Sequence, residues 1–421
     1  MLMTAAVATV AFSGAAPVVQ DSSVTLEQKA SREVKIGYVL EGEPAIVTVD
    51  IQTNGVSIGG EHLSHMRGDV NGLVQPGVRE VSWRPDRAWP GVKLESGVQA
   101  VVKAWATNAP PLYLAVNLAA TNEIRYYETM AAIPGGLTND LYKTEWLLMR
   151  KIPAANVLWR MGSPVSEANR QAGEKAHLVT LKDDYFIGVY PVTQRQYELV
   201  MGDRAACYFT NERDYATRPV EKVSWDWFRG AKADGYDWPT KGRAVNKDRF
   251  LGTLRTLVKN RIEFDLPTEA QWEFACRAGT GTSLNSGKNC ANYGNDPNAN
   301  EIARGKFSGG CGSDGNMTEP AQNVGVEVAG TSKVGSFAPN GWHLYDMSGN
   351  VWEFCLDWFK EDLTDVDPEK GPDSGTTKVA RGGCWNSQAF NMRSAFRNNP
   401  YSLGTGNRCF GFRLWAPIDL R

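Results

Sequence analysis

The sequence predicts a two-part α+β protein: a small β-sandwich, then a large region with little regular secondary structure. Three observations lead there. At 421 residues the chain exceeds what one ordinary core organises, so two or three domains are expected. Its 42 Gly and 14 Trp imply many turns, and large rings filling a core that helices and strands only partly build. The texture also changes along the chain. Short alternating strands run to about residue 120, and aromatic, Gly-rich sequence follows.

In the first part Ala45-Ile46-Val47-Thr48-Val49-Asp50-Ile51 is β-rich and Thr53-Asn54-Gly55 is a turn. Arg79-Glu80-Val81-Ser82-Trp83 alternates, as does the stretch from Val98 to Trp105. About seven short strands at this spacing predict an immunoglobulin-like sandwich over residues 33–120, with a final strand after Pro110-Pro111. Residues 121–145 read as a linker, and 146–418 as a domain able to stand alone.

Residues 1–16 carry no charged side chain. An apolar run over 5–12 and the small residues Ser13-Gly14-Ala15-Ala16 predict a signal peptide, although its start lacks the usual positive charge. Export to the periplasm or cell exterior is therefore expected. No later stretch approaches the roughly 18 apolar residues of a membrane span. Basic and acidic residues (45 and 47) are well mixed, without a basic cluster interleaved with aromatics, so nucleic acid is not an expected partner. The seven cysteines form no CxxC. Cys290 with Cys311, and Cys384 with Cys409, are plausible disulfides in an exported protein, but the connectivity stays open.

The second part has two convincing helices. One begins at Asp226 after the N-cap candidate Ser224. The other follows Thr268, which forms a capping-box pattern with Gln271, and is expected to stop at Gly279. Around them lie ordered landmarks: Trp159-Arg160-Met161-Gly162-Ser163, Tyr185-Phe186-Ile187-Gly188, Arg218-Pro219-Val220, Leu266-Pro267-Thr268-Glu269, Leu344-Tyr345-Asp346-Met347-Ser348-Gly349-Asn350-Val351-Trp352-Glu353, Arg381-Gly382-Gly383-Cys384-Trp385 and Gly411-Phe412-Arg413.

In content and order these landmarks resemble the formylglycine-generating enzyme (sulfatase-modifying factor) family. The resemblance implies a C-type-lectin-like α+β fold. It further implies an activity in which Cu(I), held by two cysteines four residues apart, oxidises a client sulfatase cysteine with oxygen. Soft thiolates select that ion. Here the first slot holds Ser387 and the second falls on Asn391 or Met392, so copper is not expected. Cys384 replaces the usual serine and is the one candidate catalytic residue. Related iron-dependent sulfoxide synthases need a His/His/Glu face, and histidines 62, 65, 177 and 343 do not supply it.

The resemblance also implies a calcium site at Asp346, Gly349, Val351 and Glu353, using side-chain and main-chain oxygens. The alternative is that Glu353 pairs with Arg393 or Arg413. A ligand groove is expected at Trp385, Asn386, Ser387, Gln388, Asn391, Arg393, Arg397 and Asn398, the strip that binds substrate in active relatives and diverse ligands in related lectin-like proteins. The alternative is a self-bonded loop with both arginines in buried ion pairs. The combined reading is an exported binding or scaffolding module for a protein, peptide or glycan. An active oxidase with a sulfatase client is the alternative.

Overall fold

The computed structural model describes residues 14–93, 96–119, 123–204, 207–209, 214–311, 330–399 and 406–419. The leader expected over 1–16 thus lies almost wholly outside the described residues. Two compact units form: Met1–Pro111 with Tyr126–Gly136, and Leu112–Arg125 with Leu137–Arg421.

The first unit contains two antiparallel sheets. One is built on β1 (Val34–Glu41) and the other on β2 (Ala45–Thr53). β1 pairs with β3 (Gly77–Trp83), and β2 pairs along its length with β4 (Val98–Trp105). The period-2 pattern of β1 turns Val34, Ile36, Tyr38 and Leu40 inward. They meet Ala45, Val47, Val49 and Ile51 of β2 in one apolar cluster with Val81 and Trp83.

The second unit is organised by a sheet ordered β5 (Tyr113–Asn117), β6 (Trp146–Ile152), β7 (Tyr185–Gly188) and, at its far side, a short strand near the C-terminus. β5 is buried throughout and pairs antiparallel with β6, Tyr113 opposite Arg150 and Asn117 opposite Trp146. The strand expected to close the sandwich therefore belongs to the second unit. Residues 137–145, expected as linker, belong there too: the Thr193 hydroxyl donates to the Lys143 carbonyl at 2.7 Å. Alternation within a short strand does not reveal its pairing partner, which is why the boundary moved.

Among the described residues, four α-helices of five residues or more follow: α1 (Gln194–Met201), α2 (Trp225–Arg229), α3 (Phe250–Leu257) and α4 (Glu269–Arg277). α4 starts after Thr268 as expected, with the Thr268/Gln271 capping box made, whereas α2 starts at Trp225, one residue before the expected Asp226, and the Ser224 side chain makes no capping bond. α4 ends one residue early, because Ala278 already takes the left-handed conformation at φ 47°. Every residue of α4 is buried, in a core with Ile152, Tyr185, Ile187, Met347, Cys355 and Val379. Later strands include β8 (Trp352–Trp358), β9 (Lys378–Arg381), β10 (Phe410–Gly411) and β11 (Trp415–Pro417). β8 pairs with β9 and β10, and β11 completes the sheet of β7. Among the described residues no helix is long and apolar enough to cross a membrane.

Candidate functional site

The candidate site grows out of the end of β9. Gly382 and Gly383 follow it at φ 94° and 84°, a conformation that L side chains rarely adopt. A Cβ on Gly382 would come within 3.1 Å of the Met347 carbonyl oxygen. This kink turns residues 384–392 back across the unit. Backbone hydrogen bonds then bind the strip to its neighbours: Lys306 N–H to Ser387 O at 2.9 Å, Ala389 N–H to Gly294 O at 2.9 Å, and Phe390 N–H to Tyr293 O at 3.1 Å.

The eight expected groove residues divide sharply. Trp385 is buried and edge-on to Phe209, and its indole N–H donates to the Arg408 carbonyl at 3.0 Å. Ser387 is buried, its hydroxyl accepting the Cys384 N–H at 2.9 Å. Arg393 is fully buried, fork-bonded to Glu174 at 2.6 and 2.7 Å and bonded to Glu167 at 2.7 Å. Arg397 bonds both oxygens of Glu269, at 2.6 and 2.8 Å, from a short strand beside β9 that also carries Asn398. The arginines are thus internal ties, as the self-bonded alternative has it. Asn386, Gln388 and Asn391 remain partly exposed and line the outer face of the strip. Sequence reasoning missed their neighbour Tyr293, which is 53% exposed and stacks on Phe390 at 3.9 Å. A lone Tyr in an Asn/Gly-rich loop gives no signal of that stack.

All seven cysteines carry free thiols. Cys290 donates to the Asn292 carbonyl at 3.3 Å and packs with Leu284, Ala299 and Met392, so the Cys290–Cys311 disulfide is not made. Cys384 and Cys409 are unlinked but adjacent, both thiols directed at the Asn386 Oδ1, at 2.9 and 3.4 Å. Burial opposes a charge on Cys384. The hydrogen bonds it receives from Cys409, Ser387 and nearby N–H groups outweigh that and lower its pKa. Donating into that contact, and then burial, push the Cys409 thiol far up.

Of the expected calcium ligands, Asp346, Gly349 and Val351 sit on the loop entering β8, and Glu353 is the second residue of that strand. Glu353 is buried and already neutralised. Arg413 meets it at 2.8 and 3.0 Å, and the Trp272 indole donates to it at 2.6 Å. Asp346 is buried with no salt-bridge partner among the described residues. It accepts the Gly335 N–H at 2.7 Å and the Asn350 amide at 3.4 Å. Burial pushes its carboxyl up to about 6, and the Glu353 charge adds to the effect. Asp346, Gly349 and Asn350 all have positive φ, which makes the loop a tight turn. Among the described residues no cluster of three or more His, Cys, Asp and Glu is arranged to hold a metal ion.

Comparison with known proteins agrees with the landmarks. A model of the sulfatase-modifying factor enzyme 1-like domain matches residues 149–417. The formylglycine-generating enzyme of Thermomonospora curvata is 38% identical over 160 residues, 34% of this chain and 48% of that protein. The chaperone protein LppX of Paenibacillus barcinonensis is 30% identical over 222 residues, 49% of this chain and 71% of that protein. The structure of PvdO from Pseudomonas aeruginosa aligns with TM-score 0.46 and 23% identity, over 64% of this chain and 94% of that one. The chain spans about half the length of the formylglycine-generating enzyme it matches. With the family model covering well over half of its length, the chain belongs to the sulfatase-modifying factor enzyme 1-like family.

Proposed function

We propose that this protein is an exported ligand-binding module on a sulfatase-modifying-factor scaffold, and not a formylglycine-generating oxidase. The observation that carries this reading is what occupies the two slots for copper thiolates. Ser387 spends its hydroxyl on the Cys384 N–H. Of the two candidates for the second slot, Asn391 carries an amide and Met392 is buried in an apolar cluster with Leu284, Cys290 and Ala299. A hydroxyl and a core thioether do not replace two thiolates, so these residues do not fit Cu(I) held as in the family.

The outer face of the strip supports binding. The amides of Gln388 and Asn391 offer donors and acceptors, the Asn386 amide offers its NH2 group, and the Tyr293–Phe390 stack offers a flat apolar surface. Peptide backbone and glycan hydroxyls both suit that combination. A relative named as a chaperone, matched over 71% of its length, favours a protein or peptide ligand. The leader-like residues 1–16 support export, the two-sheet first unit an immunoglobulin-like sandwich, and the second unit a C-type-lectin-like fold.

Calcium is part of this proposal at Asp346 with the carbonyls of Gly349 and Val351. A buried carboxylate without a cationic partner is costly, and a divalent ion would neutralise it. Glu353 fits less well, because Arg413 already satisfies it.

The second reading, an oxidase using Cys384 on a sulfatase client, draws on the closeness of Cys384 to Cys409. Oxygen uptake separates the two readings. The binding module, given copper and a cysteine peptide, consumes oxygen at the rate of copper and peptide alone. Uptake above that rate that disappears in Cys384→Ser belongs to the oxidase.

A further inference from the structure

We infer that Cys384 and Cys409 are a dithiol–disulfide couple: a modification site at the edge of the amide strip, independent of the binding reading above. Their two sulfurs converge on a single acceptor, the Asn386 side-chain oxygen, at 2.9 and 3.4 Å. The segments that carry them are tied together on both sides. The Trp385 indole donates to the Arg408 carbonyl at 3.0 Å, the Trp385 N–H to Asn350 O at 2.9 Å, and the Trp352 N–H to Cys409 O at 2.7 Å. Neither cysteine can drift away without breaking these bonds.

The other thiols are placed differently. Cys207 donates to the Glu221 carbonyl, Cys276 to Met347 O and Cys290 to Asn292 O, so each has an acceptor of its own. Cys355 lies fully buried in the core with Val379 and Trp272. Cys311 is buried, and both that burial and the neighbouring Cys384 raise its pKa, which makes it the rival partner to be told apart.

Cys384 is buried and Cys409 partly exposed, so an incoming disulfide meets Cys409 first. The oxidant is a disulfide, of low molecular weight or on a thiol oxidoreductase. Cys409 gives its proton to solvent as it attacks one sulfur. That bond breaks, the first thiolate leaves, and a mixed disulfide remains on Cys409. Cys384, deprotonated, then attacks the Cys409 sulfur and expels the second thiolate. Two thiols lose two protons and two electrons, and the oxidant is reduced to two thiols. Closure removes both S–H donors from Asn386, freeing its oxygen at the face where ligand would lie.

The test uses the full chain equilibrated with mixtures of oxidised and reduced glutathione, trapped with an alkylating agent and digested without reduction. Mass spectrometry should find one cross-linked pair joining the Cys384 and Cys409 peptides, with loss of two alkylatable thiols per chain. In Cys409→Ser that loss should disappear. If this variant fails to fold, the wild-type peptide map decides alone. Full alkylation of both thiols at every mixture, or a cross-link from Cys384 to Cys311, overturns the assignment.

Discussion

Arg393 ties the strip to the stretch 167–174, its guanidinium binding both Glu174 and Glu167. Removing one partner of a buried ion pair strands the others, at a cost of about 3–5 kcal/mol. Arg393→Met should lower stability by that amount in denaturant titration. Unchanged stability with lost ligand binding would return Arg393 to the groove. Glu221 makes the complementary case. It is fully buried, and one oxygen accepts the N–H groups of Tyr208 and Phe209 while the other has no partner among the described residues. Burial raises its pKa from 4.5 to about 7, against the pull of those N–H groups, Lys222 and Arg218. The native state therefore holds a proton that the unfolded chain releases, and stability falls as pH rises from 4.5 to about 7. Glu221→Gln keeps the accepting oxygen and removes the charge. It should exceed wild type by on the order of 2–3 kcal/mol at pH 8, with the gap closing toward pH 5. A gap that does not change with pH would exclude Glu221 as the group. Sequence could offer Arg393 only as groove or ion pair, because its partners lie more than two hundred residues away.

α4 was legible because its capping box is local: Thr268 and Gln271 lie three residues apart, and their hydrogen bonds form as the pattern requires. α1 carries the same box at Thr193 and Gln196 and was equally legible, although it is not among the two expected helices. α3 follows Arg249, which makes no side-chain cap, so no such signal existed. α4 is buried on all sides, so its caps identify it and periodicity does not. The loop before β8 shows the limit of spacing. Asp346 and Glu353 stand at the expected interval, but only the fold reveals that Arg413 has taken Glu353 and left Asp346 unneutralised. If calcium binds there, a chelator should lower the melting temperature of calcium-loaded protein. A hundredfold excess of ion over its Kd stabilises by about 2.7 kcal/mol. Asp346→Asn should abolish the chelator effect. Glu353→Ala should destabilise with or without chelator, since it strands Arg413. A wild-type melt indifferent to chelator would remove calcium from the account.

Across the whole molecule, two units and a mixed α+β second unit were readable from texture and landmarks, whereas the boundary was not. β5 reads the same whether it closes a sandwich or joins β6, and only pairing across the chain decides. A chain of residues 146–421 lacks β5 and the Lys143 carbonyl that anchors Thr193, so it should melt lower than a chain of residues 112–421. Equal melting would mean that β5 contributes nothing to the second unit. The landmarks carry buried ion pairs: Arg381 binds Glu273 and Arg413 binds Glu353, with Arg397 on Glu269 beside them. A family scaffold can therefore persist while the residues above it change, as Ser387 and Met392 have. Their identity is the centre of the functional account, and mass spectrometry tests it most directly. The protein is incubated with Cu(I), oxygen and a sulfatase-type cysteine peptide, and the peptide is then weighed. The account predicts no formylglycine above the level formed without protein. Formylglycine that appears with wild type and vanishes with Cys384→Ser would contradict it.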